Sequence, residues 1–181
     1  DKLEKGKILK IVLATSNSDK VREIKDFLKD YEIYALREIC EPFDIVEDGA
    51  TFAANALIKA RAVHAKAREL NLADEFIALS DDSGISVEAL GGRPGIYSAR
   101  FSDMNEQGQI IGKNATDASN RAKLIAELKA LNFTSSPAFY TACIAVSSNL
   151  GDFTAHGFMH GTAVNEECGS NGFGYDSLFI P

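Results

Sequence analysis

Four short stretches hold residue types whose spacing suits phosphate, metal and base chemistry. Thr15-Ser16-Asn17-Ser18-Asp19-Lys20 joins an apolar run to a periodic one. Hydroxyl and amide side chains beside the backbone N–H groups of a helix start make an anion cradle, and Lys20 adds a full positive charge. The stretch has neither a Walker A nor a G-x-G-x-x-G pattern, and a polar cap that merely starts the helix would read the same way. Asn55 and Lys59 stand four apart, so a helix would turn amide and ammonium to one face, fit to hold a phosphate chain. A solvated helix face, with Arg61, Lys66 and Arg68 nearby, is the competing reading. Asp81-Asp82-Ser83-Gly84 follows an apolar run. Neighbouring strand residues point to opposite faces, so two adjacent carboxylates share a site only where the chain turns, and Ser83-Gly84 predicts that turn. Carboxylates at a strand end suit Mg²⁺, a hard cation held by a few carboxylates and substrate oxygens. Glu47, in an acidic loop, is the expected third oxygen donor. A turn that simply favours Asp, Ser and Gly is the alternative. Finally, Gly172-Phe173-Gly174-Tyr175-Asp176 offers aromatic rings to stack on a base and a carboxylate to accept from it. It reads equally as a bulged strand whose rings fill the core.

The elements that must position these groups follow from periodicity. Residues 8–14 read as a buried strand, and Val21, Ile24, Phe27 and Leu28 predict a helix over 19–28. A short strand near 33–36 and a loop through Pro42 lead to Thr51, the expected N-cap of a helix reaching about residue 70. Strands are expected over 76–80 and 85–90, then a turn at 91–95 and a third helix over 115–131. Two long strands, 138–147 and 153–162, flank a hairpin turn. The reading is an α/β protein with a mixed sheet.

Composition narrows the function. The 181 residues are 45% hydrophobic and 25% charged, which suits one soluble domain, or one domain with two lobes. No apolar run approaches the roughly 18 residues of a membrane-spanning helix, and no secretory signal stands near the start. Nineteen basic against 26 acidic residues give −7, which argues against a nucleic-acid partner but not against a small anion met by local lysines and a bound cation. Cys40, Cys143 and Cys168 lack C-x-x-C spacing and read as free thiols of a reducing, cytoplasmic setting, without a zinc site. His156 and His160 are four apart, but the interleaved Gly157 and Gly161 make the run a strand. The start at Asp1 and the apolar run 177–180 before Pro181 lead us to expect a chain trimmed at both ends.

The four stretches together resemble the non-canonical purine nucleoside triphosphate pyrophosphatases, the inosine and xanthosine triphosphate hydrolases. The matching segments are LATSNSDKVREI (13–24), Thr51-Phe52 with NALIKAR (55–61), SDDSGISVEALGGRPGIYSARFS (80–102) and GSNGFGYDSLF (169–179). The resemblance implies an elongated mixed β-sheet flanked by helices, one domain over 1–181 with two lobes and the active-site cleft between them, and a homodimer. It implies Mg²⁺-dependent cleavage of ITP, dITP or XTP to the monophosphate and pyrophosphate. On that resemblance Thr15, Ser16, Asn17, Ser18, Asp19 and Lys20, with Asn55 and Lys59, hold the triphosphate. Glu47 and Asp82 hold the metal, Asp82 also takes a proton from water, and Ser83 touches the substrate. Phe173, Gly174, Tyr175 and Asp176 surround the base. Ser16 stands where the family usually has glycine and Ala54 where it commonly has Glu, and its C-terminal lysine and Ser-His-Arg segment has no counterpart before Pro181. A pyrophosphatase of canonical or modified pyrimidine nucleotides, or a nucleotide sensor without turnover, are the alternatives.

Overall fold

The computed structural model describes residues 10–41 and 43–181, so the start of the strand expected over 8–14, and Pro42 of the loop, lie outside the described residues. The first strand, β1 (Lys10–Leu13), pairs in parallel with β2 (Ile33–Ala35) on one side and β3 (Phe76–Val87) on the other. Parallel neighbours need crossovers, which α1 (Ser18–Phe27) and α2 (Phe52–Glu69) supply. Further along come α3 (Asp117–Ala130), β4 (Ser135–Ser148), β5 (Gly151–Val164) and β6 (Phe179–Ile180). The sheet order is β2-β1-β3-β4-β5-β6, and β5 meets β6 antiparallel, so the sheet is mixed as expected. No helix among the described residues is long and apolar enough to cross a membrane.

The chain gathers into two compact units, one of Asp1–Asp82 with Cys143–His156 and one of Ser83–Ala142 with Gly157–Pro181. In the first, alternation along β1 supplies both faces. Val12 and Ala14 pack with Val63 of α2 and with Phe76 and Ala78, while Ile11 and Leu13 join Val21 and Ile24 of α1. The small residues Ala56 and Ala60 let α2 lie close against Cys143 and Ala145. The second unit closes around Ile85, Val87, Phe101, Leu124, Leu128 and Leu178.

Helix boundaries follow their caps. Thr51 accepts the Ala54 N–H at 3.1 Å, and Thr116 accepts the Ser119 N–H. Two expectations need correcting. The turn expected at Asp81-Asp82-Ser83-Gly84 is absent, because β3 runs unbroken through it. Gly84 is required for another reason: a Cβ there would stand 2.4 Å from both the Gly95 carbonyl oxygen and Ser98 Oγ. Ser98 Oγ accepts the Ile85 N–H at 3.0 Å and donates to the Gly95 carbonyl at 2.7 Å, drawing a 3₁₀ stretch (Gly95–Asp103) onto the strand. The strand expected over 85–90 ends at Val87, where Glu88–Leu90 turns as a 3₁₀ helix.

Candidate active site

In the first unit the loop after β1 and the segment before α2 face one cavity of about 260 Å³, lined by Thr15, Ser16, Phe43, Ile45, Glu47 and Lys59 among others. From Phe43 to Gly49 half-buried and exposed residues alternate, and Phe43, Ile45 and Glu47 share the half-buried set. Lys59, on α2, is only 12% exposed at its side chain, and its Nζ lies 2.9 Å from Glu47 and 3.6 Å from Asp82. One ammonium therefore sits between two carboxylates whose own chain segments are unrelated. Asp81, the preceding residue of β3, takes a different partner: Lys20 Nζ stands 2.5 Å from its Oδ2. Each of the two neighbouring aspartates thus has its own lysine.

Asn17 caps α1, its Oδ1 accepting the Asp19 N–H at 2.8 Å and the Lys20 N–H at 3.1 Å. Thr15 Oγ1 accepts the Asn17 N–H, and Asp19 pairs with Arg22 at 2.8 Å. The capping geometry is therefore present, and it presents Thr15 and Ser16 to the cavity; Ser18 opens the helix. Asn55 is buried, with 2% exposure. Its Oδ1 accepts the Gly49 N–H at 2.8 Å, and its amide is among the groups that favour the charged Asp82 carboxylate. The side chain that spacing assigned to phosphate binding thus also fastens the acidic loop to α2.

Burial pushes the Asp82 carboxyl above the usual carboxylate range. Lys59 pulls it back, the negative charge of Glu47 adds to the rise, and Asn55 and Lys20 oppose it. Two carboxylate oxygens, Asp81 Oδ1 and Asp82 Oδ2, are buried without a hydrogen-bond partner. Among the described residues no three histidine, cysteine or carboxylate side chains stand together as a ready cage for a metal. Hard oxygen donors with lone pairs unspent nevertheless fit a cation that completes its shell from water and substrate, as Mg²⁺ does.

The loop Gly172–Asp176 belongs to the second unit, as does Ser83. The bulged strand considered for this loop does not form; the loop is held by its own Asp176 and by residues of α3, β4 and the 3₁₀ stretch. Asp176 Oδ2 accepts the Phe173 N–H at 3.0 Å, and Asp176 Oδ1 stands 3.4 Å from the Tyr140 hydroxyl. Burial, reinforced by the Asp176 charge, raises the Tyr140 hydroxyl well above its ordinary value, which keeps it a donor. The Gly174 N–H donates to Asp117 at 2.9 Å and its carbonyl accepts from Arg121 at 3.0 Å. Tyr175 fills the core, its hydroxyl donating to the Ser98 carbonyl at 2.7 Å. Phe173 is half-buried and lines a small cavity of about 90 Å³ with Arg121 and Gly174.

Sequence reasoning missed Asp81 as the partner of Lys20, and Phe43 and Ile45 as walls of the cavity. The second was open to view in the alternation Phe43, Ile45, Glu47. The first joins residues 61 apart, which no local pattern reports.

A dITP/XTP pyrophosphatase of Campylobacter concisus is 72% identical over 96% of this chain and 81% of its own length. One of Campylobacter fetus is 64% identical over 96% of this chain and 80% of its own. Among solved structures, a HAM1 protein from Coxiella burnetii superposes with a TM-score of 0.75 at 37% identity, covering 94% of this chain and 81% of that one. The Ham1 family model matches residues 11–181, and the chain belongs to the Ham1 family.

Proposed function

We propose that the protein is a Mg²⁺-dependent hydrolase that cleaves dITP, ITP and XTP to the nucleoside monophosphate and pyrophosphate. The two Campylobacter relatives, both dITP/XTP pyrophosphatases by name, support the activity and the substrate class. The observation that carries the reading is Lys59, held between Glu47 and Asp82 in the cavity that Thr15 and Ser16 also line. A triphosphate entering there meets hydroxyl donors and an ammonium that can exchange carboxylate partners for phosphate oxygens. Lys20, with Asp81, supplies the second positive charge. Stabilising the charge that develops on the departing pyrophosphate is the main task in phosphoryl transfer.

In this reading Glu47 and Asp82 hold Mg²⁺. Bound there, the ion would neutralise phosphate charge and polarise the reacting phosphorus. Asp82 Oδ2, lacking a hydrogen-bond partner, is the proton acceptor for the attacking water, and its raised pKa makes it the better base. Asn55 and Gly49 keep that carboxylate and the acidic loop in register. Phe173 is the proposed stacking contact for the base, with Asp176 holding its backbone. The protein is proposed to work as a cytoplasmic homodimer. Free Cys40, Cys143 and Cys168 suit a reducing compartment, and Phe153, Phe158 and Met159 stand exposed along β5.

A panel of ITP, dITP, XTP, GTP, ATP, dUTP and TTP with Mg²⁺ tests the proposal. Pyrophosphate and monophosphate are expected from the first three at far higher kcat/KM. Release of orthophosphate and a diphosphate would overturn the cleavage assignment, and equal turnover of ATP the substrate class.

A further inference from the structure

Within the second unit, α3 is firmly seated. Leu124 and Leu128 are fully buried, in one cluster with Tyr175 and Leu178. Asn120, also buried, accepts the Ser102 N–H on Oδ1 at 2.8 Å and donates from Nδ2 to the Ala99 carbonyl at 3.1 Å. The loop that carries Phe173 is less constrained by its own chain. Gly172 and Gly174 flank Phe173 with φ of +85° and +58°. A segment with glycine on both sides keeps many conformations open unless something outside it selects one.

Two side chains of α3, one turn apart and therefore on one face, reach that loop. Asp117 Oδ2 accepts the Gly174 N–H at 2.9 Å, and Arg121 Nη1 donates to the Gly174 carbonyl at 3.0 Å. The same guanidinium donates from Nε to Glu167 at 3.1 Å, and Glu167 accepts the Ser177 hydroxyl at 3.1 Å. The Cys168 N–H closes the neck of the loop by donating to the Ser177 carbonyl at 2.7 Å. Arg121 therefore ties the tip of the loop to its neck. Phe173 is bound in the other direction: its N–H donates to Asp176 Oδ2 at 3.0 Å, and its carbonyl accepts the Asp176 N–H at 3.1 Å. Both backbone groups of Phe173 and both of Gly174 are thus committed inside the protein.

We propose that Asp117 and Arg121 are positioning residues for the base, holding the loop so that it offers a purine the ring of Phe173 and no hydrogen bond from the Phe173 or Gly174 backbone. The inference rests on the reading of Phe173 as the stacking contact. Every purine has a π-face, so a loop that meets the base by stacking adds affinity to each of them and leaves the choice between them to other groups. Loosening the clamp frees Phe173 to leave its stacking position. Binding then weakens in the ground state and the transition state alike, so KM rises while kcat holds.

Steady-state kinetics of Arg121→Met and Asp117→Ala with Mg²⁺ test this, using ITP and XTP as substrates and inorganic tripolyphosphate, which carries no base, as inhibitor. Each variant should raise KM for both nucleotides by about fivefold or more and by similar factors, with kcat and the tripolyphosphate Ki within about twofold of the parent. Asp117→Asn, which keeps an acceptor for the Gly174 N–H, should restore the parent KM. A residue that only supported the fold would move kcat, Ki and thermal stability together. Unchanged KM in both variants, a tripolyphosphate Ki that rises with the nucleotide KM, or a rise for one purine and not the other overturns the proposal. A parent that turns over neither nucleotide overturns the underlying function and this inference with it, so the parent tells the two failures apart.

Discussion

The two lysines of the candidate site face different carboxylates, and that difference separates their expected phenotypes. Lys59→Met leaves Glu47 and Asp82 without the charge between them, so kcat/KM should fall by about 10² to 10³, the scale of one lost electrostatic stabiliser. Lys20→Ala removes a phosphate contact but also leaves Asp81 buried and unpaired. The single variant should lose roughly 1–3 kcal/mol of stability and raise KM. The double variant Lys20→Ala, Asp81→Asn should recover the stability and keep the raised KM, read by urea denaturation beside steady-state kinetics. Recovery of both would mean that Lys20 serves Asp81 alone. Asn55 gives a third contrast. Asn55→Ala should destabilise by about 1–3 kcal/mol and lower kcat, because the Gly49 N–H and the Asp82 carboxylate both lose a partner. Asn55→Asp keeps an acceptor for Gly49 and sets a second negative charge against Asp82, so it should be the slower enzyme of the two. A raised KM with intact kcat in both variants would return Asn55 to phosphate binding, where helical spacing first put it.

At the scale of elements, Glu38 ties the end of β2 to the 3₁₀ turn after it, accepting the Ala35 N–H at 2.6 Å and meeting Lys25 of α1 at 3.1 Å. The Ala35 N–H first, and Lys25 second, hold its carboxyl below the ordinary 4.5. A lowered folded pKa stabilises above the ordinary value, and that stability is lost as the pH falls through the lowered one. Glu38→Gln should therefore cost under about 1 kcal/mol at neutral pH, since the group is 44% exposed at its side chain. The difference from the parent should close as a series of urea melts descends below pH 4.5; a constant gap would place the effect in packing. Elements with strong local signals were legible in advance. Thr51 and the Ala-rich run marked α2, and the continuous apolar run over 8–14 marked β1 as a strand covered on both faces. Asp81-Asp82-Ser83-Gly84 misled because its composition is that of a turn. Parallel pairing upstream and the close packing of Ser98 downstream override it, and Gly84 answers to the Gly95 carbonyl rather than to a bend. The loop Gly172–Asp176 was legible as a motif, but its anchoring to Asp117, Arg121 and Tyr140 comes from residues 36 to 57 positions away.

For the whole molecule the relevant surface is β5, where Phe153 and Phe158 remain more than 60% exposed. Covering side chains of that size contributes about 1.5–3 kcal/mol each, which favours association. Sedimentation of the parent should give twice the monomer mass, and Phe153→Lys with Phe158→Lys should give the monomer with the fold retained by circular dichroism. A parent that sediments as a monomer at working concentration would remove the homodimer. The net charge of −7 favours solubility, while the cationic groups that matter are gathered locally by Lys20 and Lys59.

Gly49 reacts with nothing, yet a methyl group there would lie 2.7 Å from Asn55 Oδ1 and 2.8 Å from the Ala54 side chain. Making room would mean moving Asn55, and moving Asn55 releases Asp82. A substitution at either position therefore carries a cost at the other, and the two are coupled. In a randomised library selected for turnover, both should return unaltered nearly as consistently as Asp82 itself.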